Sequence, residues 1–487
     1  MKTAPALDLP IRLDRAYDLP LERQLVEQLR QFILDGRLTA NTRLPSTRVL
    51  ATALGVSRNV AVAAYDELFA EGYVVGRHGS GTYIAPDLVP LARPRTTISN
   101  GNPRWLRAQT ADVAVEPLVP PGAIDFRLGR PSVAPLDPQA WRRAWSDVAH
   151  RPPLAEYGPP AGDPALRAAI AGYLGRARGV ACRAEDVVVT SGAVQALDLV
   201  ARATLTTGDT VGFEEPGYPT ARRVLLTHGA QLLPLPIDDD GAQVERLPHG
   251  GGAPLLAYLT PSHQYPLGAR LSVTRRLAAL EWARANDSLI VEDDYDSEFR
   301  FDAPPLPSMA GLDETGHVAY IGTFSKVLAP ALRVGYLVAP EPLRERVIQL
   351  KLLADYHTPG PVQQALAAFL TSGHLEQHIR RMRRHYAEKR RALHDALAPA
   401  TAYARLWGLE AGLHAYLDLR PGLEPAAIVD CAAQHGVIVS GLEDYYIGIS
   451  DRNGVLLGYG GLTVNEVERG ARKLAEIILA LGRRAAR

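Results

Sequence analysis

Cysteine is scarce in this chain: Cys182 and Cys431 are the only two in 487 residues, far apart, with no CxxC spacing and no His-rich neighbour. That argues against a disulfide framework or a structural zinc site and suits a reducing compartment. Net charge is missing as well, 53 Lys and Arg balancing 53 Asp and Glu. Contact with a polyanion must therefore come from a local patch, not from a basic whole. No apolar run approaches the roughly 18–20 residues of a membrane span. Residues 1–18, MKTAPALDLPIRLDRAYD, carry acids and prolines where a secretory signal has its apolar stretch. The expectation is a soluble, cytoplasmic chain with no membrane partner. What is present is length beyond one small domain and 47% hydrophobic content, enough to bury a substantial core.

The chain reads as three regions: 15–86, 87–122 and 123–487. In the first, Leu21, Leu25, Leu29, Phe32 and Ile33 fall on one helical stripe that Gly36 stops. Ser46 can cap a short helix, Leu54-Gly55-Val56 makes a tight turn, and Ser57 or Asn59 opens a second helix with Val60, Ala64 and Leu68 inward. Two short runs around a GRHGSG turn then predict a β-hairpin wing. Prolines and scattered arginines over 87–122 indicate a linker. Beyond it, apolar runs at 187–189, 211–213, 255–259, 288–291, 318–322 and 334–338 alternate with helical stretches. That pattern predicts an α/β domain with a mostly parallel sheet covered on both faces. Near the end, Thr463 and Glu466 form a capping box before a helix faced by Val467, Ala471, Leu474, Ile478 and Leu481.

Five of these apolar runs end in polar residues: Thr190-Ser191-Gly192, Glu214-Glu215, Thr260-Pro261-Ser262-His263, Glu292-Asp293-Asp294-Tyr295 and Thr323-Phe324-Ser325-Lys326. Ligands of open α/β sheets bind beyond the carboxyl ends of strands, so these residues should converge. Their chemistry suits pyridoxal 5'-phosphate. The aldehyde needs a lysine amine, which Lys326 offers for a Schiff base. A protonated pyridine nitrogen needs a carboxylate, and Asp293 stands at a strand end. Tyr295 can reach the ring oxygen and Tyr218 can stack on the ring. The phosphate suits the helix start at Gly192, with Ser325 and Arg333 adding a hydroxyl and a fixed cation. Taken singly, each has an ordinary reading: a surface lysine, a helix cap, a solvated acidic loop, a packing tyrosine. Their order and their placement at strand ends make coincidence improbable.

These residues carry a resemblance. Residues 123–487 look like a fold-type I aminotransferase and residues 20–84 like a GntR-type winged helix. With SGAVQALDL, EEPGYP, TPSHQYPLG, EDDYDSEFRF, GTFSKVLAPALRVGY and VLLGYG, the chain resembles the MocR subfamily of GntR regulators. The resemblance implies Lys326 as the cofactor lysine, Asp293 at the pyridine nitrogen, Tyr295 at the ring hydroxyl and Tyr218 on the ring face. It places Gly192, Ala193, Val194, Ser325 and Arg333 around the phosphate, and Tyr157 as a tyrosine that reaches the partner's phosphate across a homodimer. Three departures stand out. Tyr265 holds the place where aminotransferases commonly carry an asparagine that bonds the ring oxygen. Leu456 holds the place of the arginine that pairs with a substrate α-carboxylate. Ala193 and Val194 leave mainly backbone donors in the phosphate loop. A leucine cannot replace a bidentate arginine, because a carboxylate left unpaired in a closed site costs several kcal/mol or so. Arg127, Arg130 and Arg452 are weaker candidates for an anionic effector.

In the small domain Arg43, Arg48 and Arg58 lie within 43–58 with no acid between them, a local patch suited to phosphates. Helix-turn-helix docking nominates Ser57, Arg58 and Asn59 for base edges. The GntR resemblance adds Arg48 from the preceding helix and a wing tip at His78 and Gly79. The candidate DNA contacts are thus Arg43, Ser46, Arg48, Ser57, Arg58, Asn59, His78 and Gly79, with operator double-stranded DNA as the partner. The expectation is a regulator that senses pyridoxal phosphate or an amine or amino-acid effector, and controls nearby genes of amino-acid, GABA, taurine or vitamin B6 metabolism. The main rival is an active aminotransferase with a DNA-binding head, for which Leu456 is unfavourable where α-amino acids are concerned. A third possibility is a scaffold that binds no cofactor.

Overall fold

The computed structural model describes residues 10–77, 80–86, 118–152, 155–301 and 306–485. The chain divides into two units, with the boundary between Ala108 and Gln109. Most of the expected linker, and His78 and Gly79 at the expected wing tip, lie outside the described residues.

In the amino-terminal unit, α1 (Leu21–Leu34), α2 (Thr47–Leu54) and α3 (Arg58–Ala70) precede a hairpin of β1 (Val74–Arg77) and β2 (Gly81–Ile84). The stripe read from the sequence is the buried face of α1: Leu25, Val26 and Leu29 are fully buried and pack with Ala61, Ala64 and Leu68 of α3. Each large aliphatic side chain taken out of water there contributes about 1.5–3 kcal/mol. Ser46 caps α2 by accepting from the Val49 amide at 3.3 Å, and Gly55 ends the helix in the left-handed region at φ 63°. Antiparallel β1 and β2 pair Val74 with Ile84, both buried against the helices.

The carboxy-terminal unit is built on an eight-stranded sheet, in the order Val187–Thr190, Gly335–Val338, Val318–Thr323, Leu289–Asp294, Leu256–Leu259, Thr210–Glu215, Gln231–Asp238, Gly241–Ala242. From Val318–Thr323 to Gln231–Asp238 the neighbours are parallel. Gly335–Val338 is antiparallel to both of its neighbours, so Val187–Thr190 points the same way as the parallel strands. Six strands therefore bring their carboxyl ends to one edge. One face packs the helices Ala193–Thr204 and Glu341–Asp355, the other Pro164–Arg178 and Gly360–Thr371, as continuous Val, Ile and Leu runs require. Gly322 lies under the Tyr336 ring, where an added Cβ would sit 2.3 Å from the ring carbon Cζ. A side chain at that position would force the strands apart.

A second, four-stranded sheet joins Ala404–Trp407, His414–Leu419, Gly454–Gly458 and Ser440–Gly441, all antiparallel. Its apolar face packs against the helices His374–Leu397, Pro425–Gln434 and Val464–Ala485. The Thr463–Glu466 capping box is present: Thr463 N donates to Glu466 at 2.7 Å and Glu466 N to the Thr463 hydroxyl at 3.2 Å. No helix among the described residues is long and apolar enough to cross a membrane.

Candidate cofactor site and nucleic-acid interface

At the carboxyl edge of the large sheet, Lys326 follows the strand Val318–Thr323 and its amine is directed inward, donating to the Gly129 carbonyl at 2.6 Å. Gly129 has φ 84° and leaves room for that amine, since a Cβ there would lie 3.4 Å from Nζ. Burial lowers the Lys326 pKa, while Asp296 and Asp293 nearby oppose the shift. A lysine eased toward its neutral form is a better nucleophile.

Asp293 is almost wholly buried on the adjacent parallel strand. Its Oδ2 accepts from the Tyr258 hydroxyl at 2.6 Å, while Oδ1 is buried with no partner among the described residues. Burial pushes its pKa up to about 6, against the Tyr258 hydrogen bond and the Lys326 charge. A carboxylate oxygen buried without a donor is costly, and the protonated nitrogen of a pyridine ring is the kind of donor that would offset that cost. Next to it, Glu214 accepts from the Thr260 amide at 3.0 Å and from its hydroxyl at 2.5 Å, and burial raises its pKa to about 7.

Gly192 starts the helix Ala193–Thr204 at φ 99°, with no side chain to cap it. The helix therefore presents the first amides of Ala193 and Val194 with the positive end of its dipole. Arg333 donates to the Ser191 carbonyl at 2.8 Å, and a Cβ on Gly192 would come within 3.1 Å of its guanidinium. Amides and a fixed cation at one helix start fit a phosphate dianion. Tyr218 is influenced electrostatically by both Asp293 and Arg333, and its ring meets Tyr265 edge-on at 5.2 Å between centroids. Ser325 is tied to Thr323, its hydroxyl accepting at 3.0 Å. The structure thus brings Lys326, Asp293, Tyr295, Tyr218, Gly192 and Arg333 to one edge. Tyr157 stands apart: it is 77% exposed and stacks on Tyr356 at 4.7 Å.

The reading from sequence missed several residues. Tyr258 was hidden in an apolar run, and Gly129 acts through its backbone. His263 figures among the polar strand ends, yet no spacing links it to Asp296 and His414, all three buried. Leu456 is fully buried between Tyr416 and Ser440 on neighbouring strands, so an aliphatic side chain fills that place. Of the other arginines considered, Arg127 and Arg130 pair with Asp125. Arg452 donates to the Ile237 carbonyl at 2.8 Å and lines a cavity of about 420 Å³ with Asp238, Arg270, Arg300 and Trp407.

In the small unit, Arg43, Arg48, Arg58 and Asn59 are exposed, and among the described residues their side chains enter no hydrogen bond or ion pair. Ser57 stands at the start of α3 without bonding its amides, which leaves that helix start open to a phosphate. Ser46 is occupied as the cap of α2. By contrast Arg23 and Arg30 are neutralised by Glu67 and Glu71.

The comparisons agree with both halves. Residues 124–474 match the family Aminotransferase class I and II, and residues 21–84 match Bacterial regulatory proteins, gntR family. The chain is similar to the probable rhizopine catabolism regulatory protein MocR of Rhizobium meliloti, 38% identical over 96% of each chain. It is also similar to the pyridoxine biosynthesis transcriptional regulator PdxR of Corynebacterium glutamicum, 37% identical over 93% of this chain and 95% of that one. Among solved structures, the α-aminoadipate aminotransferase LysN of Thermus thermophilus superposes with a TM-score of 0.68 at 29% identity, over 74% of this chain and 94% of that one. A winged helix and an aminotransferase-like domain in one chain, with regulators as full-length relatives, place this protein in the MocR subfamily of GntR-type transcriptional regulators.

Proposed function

We propose that this regulator holds pyridoxal phosphate through Lys326 and uses it to sense the cofactor itself or an amine or amino-acid effector. The observation that carries the reading is a buried lysine amine near an Asp293 oxygen that is itself buried without a partner among the described residues, on the adjacent strand. Pyridoxal phosphate would supply an aldehyde that a primary amine captures reversibly with loss of water. Asp293 would hold the ring nitrogen, the Gly192 helix start and Arg333 the phosphate with the Ala193 and Val194 amides and Ser325, and Tyr218 the ring face. Leu456 offers no cation to an α-carboxylate, which favours sensing over turnover of ordinary α-amino acids. The small unit would grip operator DNA with Arg43, Arg48 and Arg58 on phosphates or guanine edges and Asn59 on an adenine edge.

A homodimer is part of the same proposal. Tyr157, Leu353 and Tyr356 are 77%, 80% and 52% exposed, an apolar surface that a second copy would cover. An effector must favour one of two states of such a dimer to alter operator binding. The test is spectroscopic. Purified full-length protein supplied with pyridoxal phosphate should gain a visible absorbance band, and borohydride should fix the mass of the cofactor on Lys326. Lys326→Ala should abolish both while duplex binding survives. A wild-type protein that stays colourless, with no reducible adduct, overturns the reading.

A further inference from the structure

Beside Lys326, the tyrosine expected at the ring hydroxyl sits against a buried pair, His263 and Asp296, that the cofactor reading leaves unused. The Tyr295 hydroxyl donates to the His263 backbone carbonyl at 2.9 Å and lies 3.1 Å from His263 Nδ1. The same Nδ1 lies 2.9 Å from Asp296 Oδ2. His263 and Asp296 are each 1% exposed, so these contacts are shielded from competing water. A ring nitrogen facing a carboxylate carries the proton, so Nδ1–H is shared between Asp296 and the phenol oxygen. Nε2 of His263 is buried with no partner among the described residues, which suits a bare lone pair better than a second N–H. The carboxylate thereby fixes both the tautomer and the rotation of the imidazole. The phenol has one proton and two lone pairs. That proton rests on the His263 carbonyl, and an N–H donated to the oxygen keeps the phenol in place when the proton turns instead to an acceptor in the pocket.

The same place shows why the chain needs such an arrangement. At position 265 an aromatic ring replaces an amide, and it meets Tyr295 edge-on at 5.7 Å. Tyr295 is then the side chain left to address a ring oxygen from this wall. The groups that face it are Asp296, Tyr265, Asp293 and Glu214, and together with burial they raise its pKa and keep the phenol protonated. His414, its ring stacked near Tyr295 at 6.4 Å, is held neutral chiefly by burial. Ligand atoms of His263, Asp296 and His414 also come within 4.8 Å of one another. A metal cation there would stand beside the Lys326 ammonium and would have to break the Nδ1 hydrogen bonds, so the cluster suits a proton better than a metal.

We infer that His263 and Asp296 are positioning residues for Tyr295, Asp296 orienting the imidazole and the imidazole holding the phenol as the donor to a pyridoxal ring oxygen. This takes over the role that the amide loses at position 265, and it rests on the reading of Lys326 as the cofactor lysine.

The test follows the absorbance of full-length, pyridoxal-phosphate-loaded protein against pH, in wild type, Asp296→Asn, His263→Ala, Tyr295→Phe and the double variant Tyr295→Phe/Asp296→Asn. A donor on the ring oxygen favours the deprotonated chromophore and lowers its pH midpoint. Asp296→Asn and His263→Ala should therefore raise that midpoint by roughly 0.5–1 unit, in the same direction as Tyr295→Phe. In the Tyr295→Phe background Asp296→Asn should add nothing, because the residues act in series. Midpoints unchanged in both single variants, or full additivity with Tyr295→Phe, overturn the inference. Asp296→Asn is nearly isosteric and decides the matter if His263→Ala does not fold. A wild-type chain that never gains a chromophore overturns the cofactor reading and this role with it. A coloured wild type whose variants keep its midpoint overturns the positioning role alone.

Discussion

In the amino-terminal unit the important cations stand in water: Arg43, Arg48 and Arg58 are exposed, and the helix start beside Arg58 is left uncapped by a side chain. In the carboxy-terminal unit the important charges are stripped of water: Asp293, Asp296 and Lys326 share a buried edge where desolvation is the largest influence on each. The contrast is what the two proposed ligands would require. A duplex is a polyanion met at a surface, so its partners must be available and its affinity must answer to salt. A small cofactor is enclosed, so its partners are placed in low dielectric where a single missing donor shifts a pKa. On the proposed reading, one half of the molecule would answer to ionic strength and the other to pH.

The largest expected effect breaks the buried side of this contrast. Asp293 has a folded pKa of about 6 against an ordinary 3.8, so folded chains hold a proton that unfolded chains release between those values. Its contribution to stability falls as pH rises across that window. Asp293→Asn should stabilise the cofactor-free protein above pH 6 by up to about 3 kcal/mol, and by little near pH 4, as read by thermal unfolding at both. If the gain is equal at both pH values, burial of charge is not the cause. On the exposed side, replacing Arg48 and Arg58 together by alanine should weaken duplex binding by about 2 kcal/mol. The slope of log affinity against log salt should fall by about 1.8, measured by fluorescence anisotropy. An unchanged slope would remove these arginines from the interface. Ser46→Ala should cost the small unit about 1 kcal/mol through the lost cap of α2, seen in urea unfolding. Smallest of all, Arg23→Ala, which breaks the exposed pair with Glu67, should change stability by less than about 1 kcal/mol and leave the salt slope alone.

Much of this contrast was legible in the residues. All six apolar runs noted in the sequence are strands, and the polar ends of five of them meet at one edge, because strands buried on both faces leave only their ends for chemistry. The strand Gln231–Asp238 escaped because Pro234 and Pro236 interrupt its pattern. It sits next to the last, two-residue strand of the sheet, where missing amide donors are tolerated. The small antiparallel sheet escaped because its strands span only two to six residues. Lys326, Asp293, Gly192 and Arg333 could be named because each has a distinct chemistry at a strand or helix end. The His263–Asp296 pair could not: its members lie 33 residues apart, and a histidine after Pro-Ser carries no periodicity. Tyr258 looked like core and is core, with its hydroxyl turned to Asp293.

The bond from Lys326 to the Gly129 carbonyl ties the reactive amine to the turn that follows the short strand Ile124–Asp125. An ammonium has three hydrogens to give; an amine committed to covalent work has fewer, and aims them elsewhere. Occupation of the pocket would then be felt as a slackened tether at residue 129. Faster amide exchange around that residue on loading would register the event before any duplex is bound.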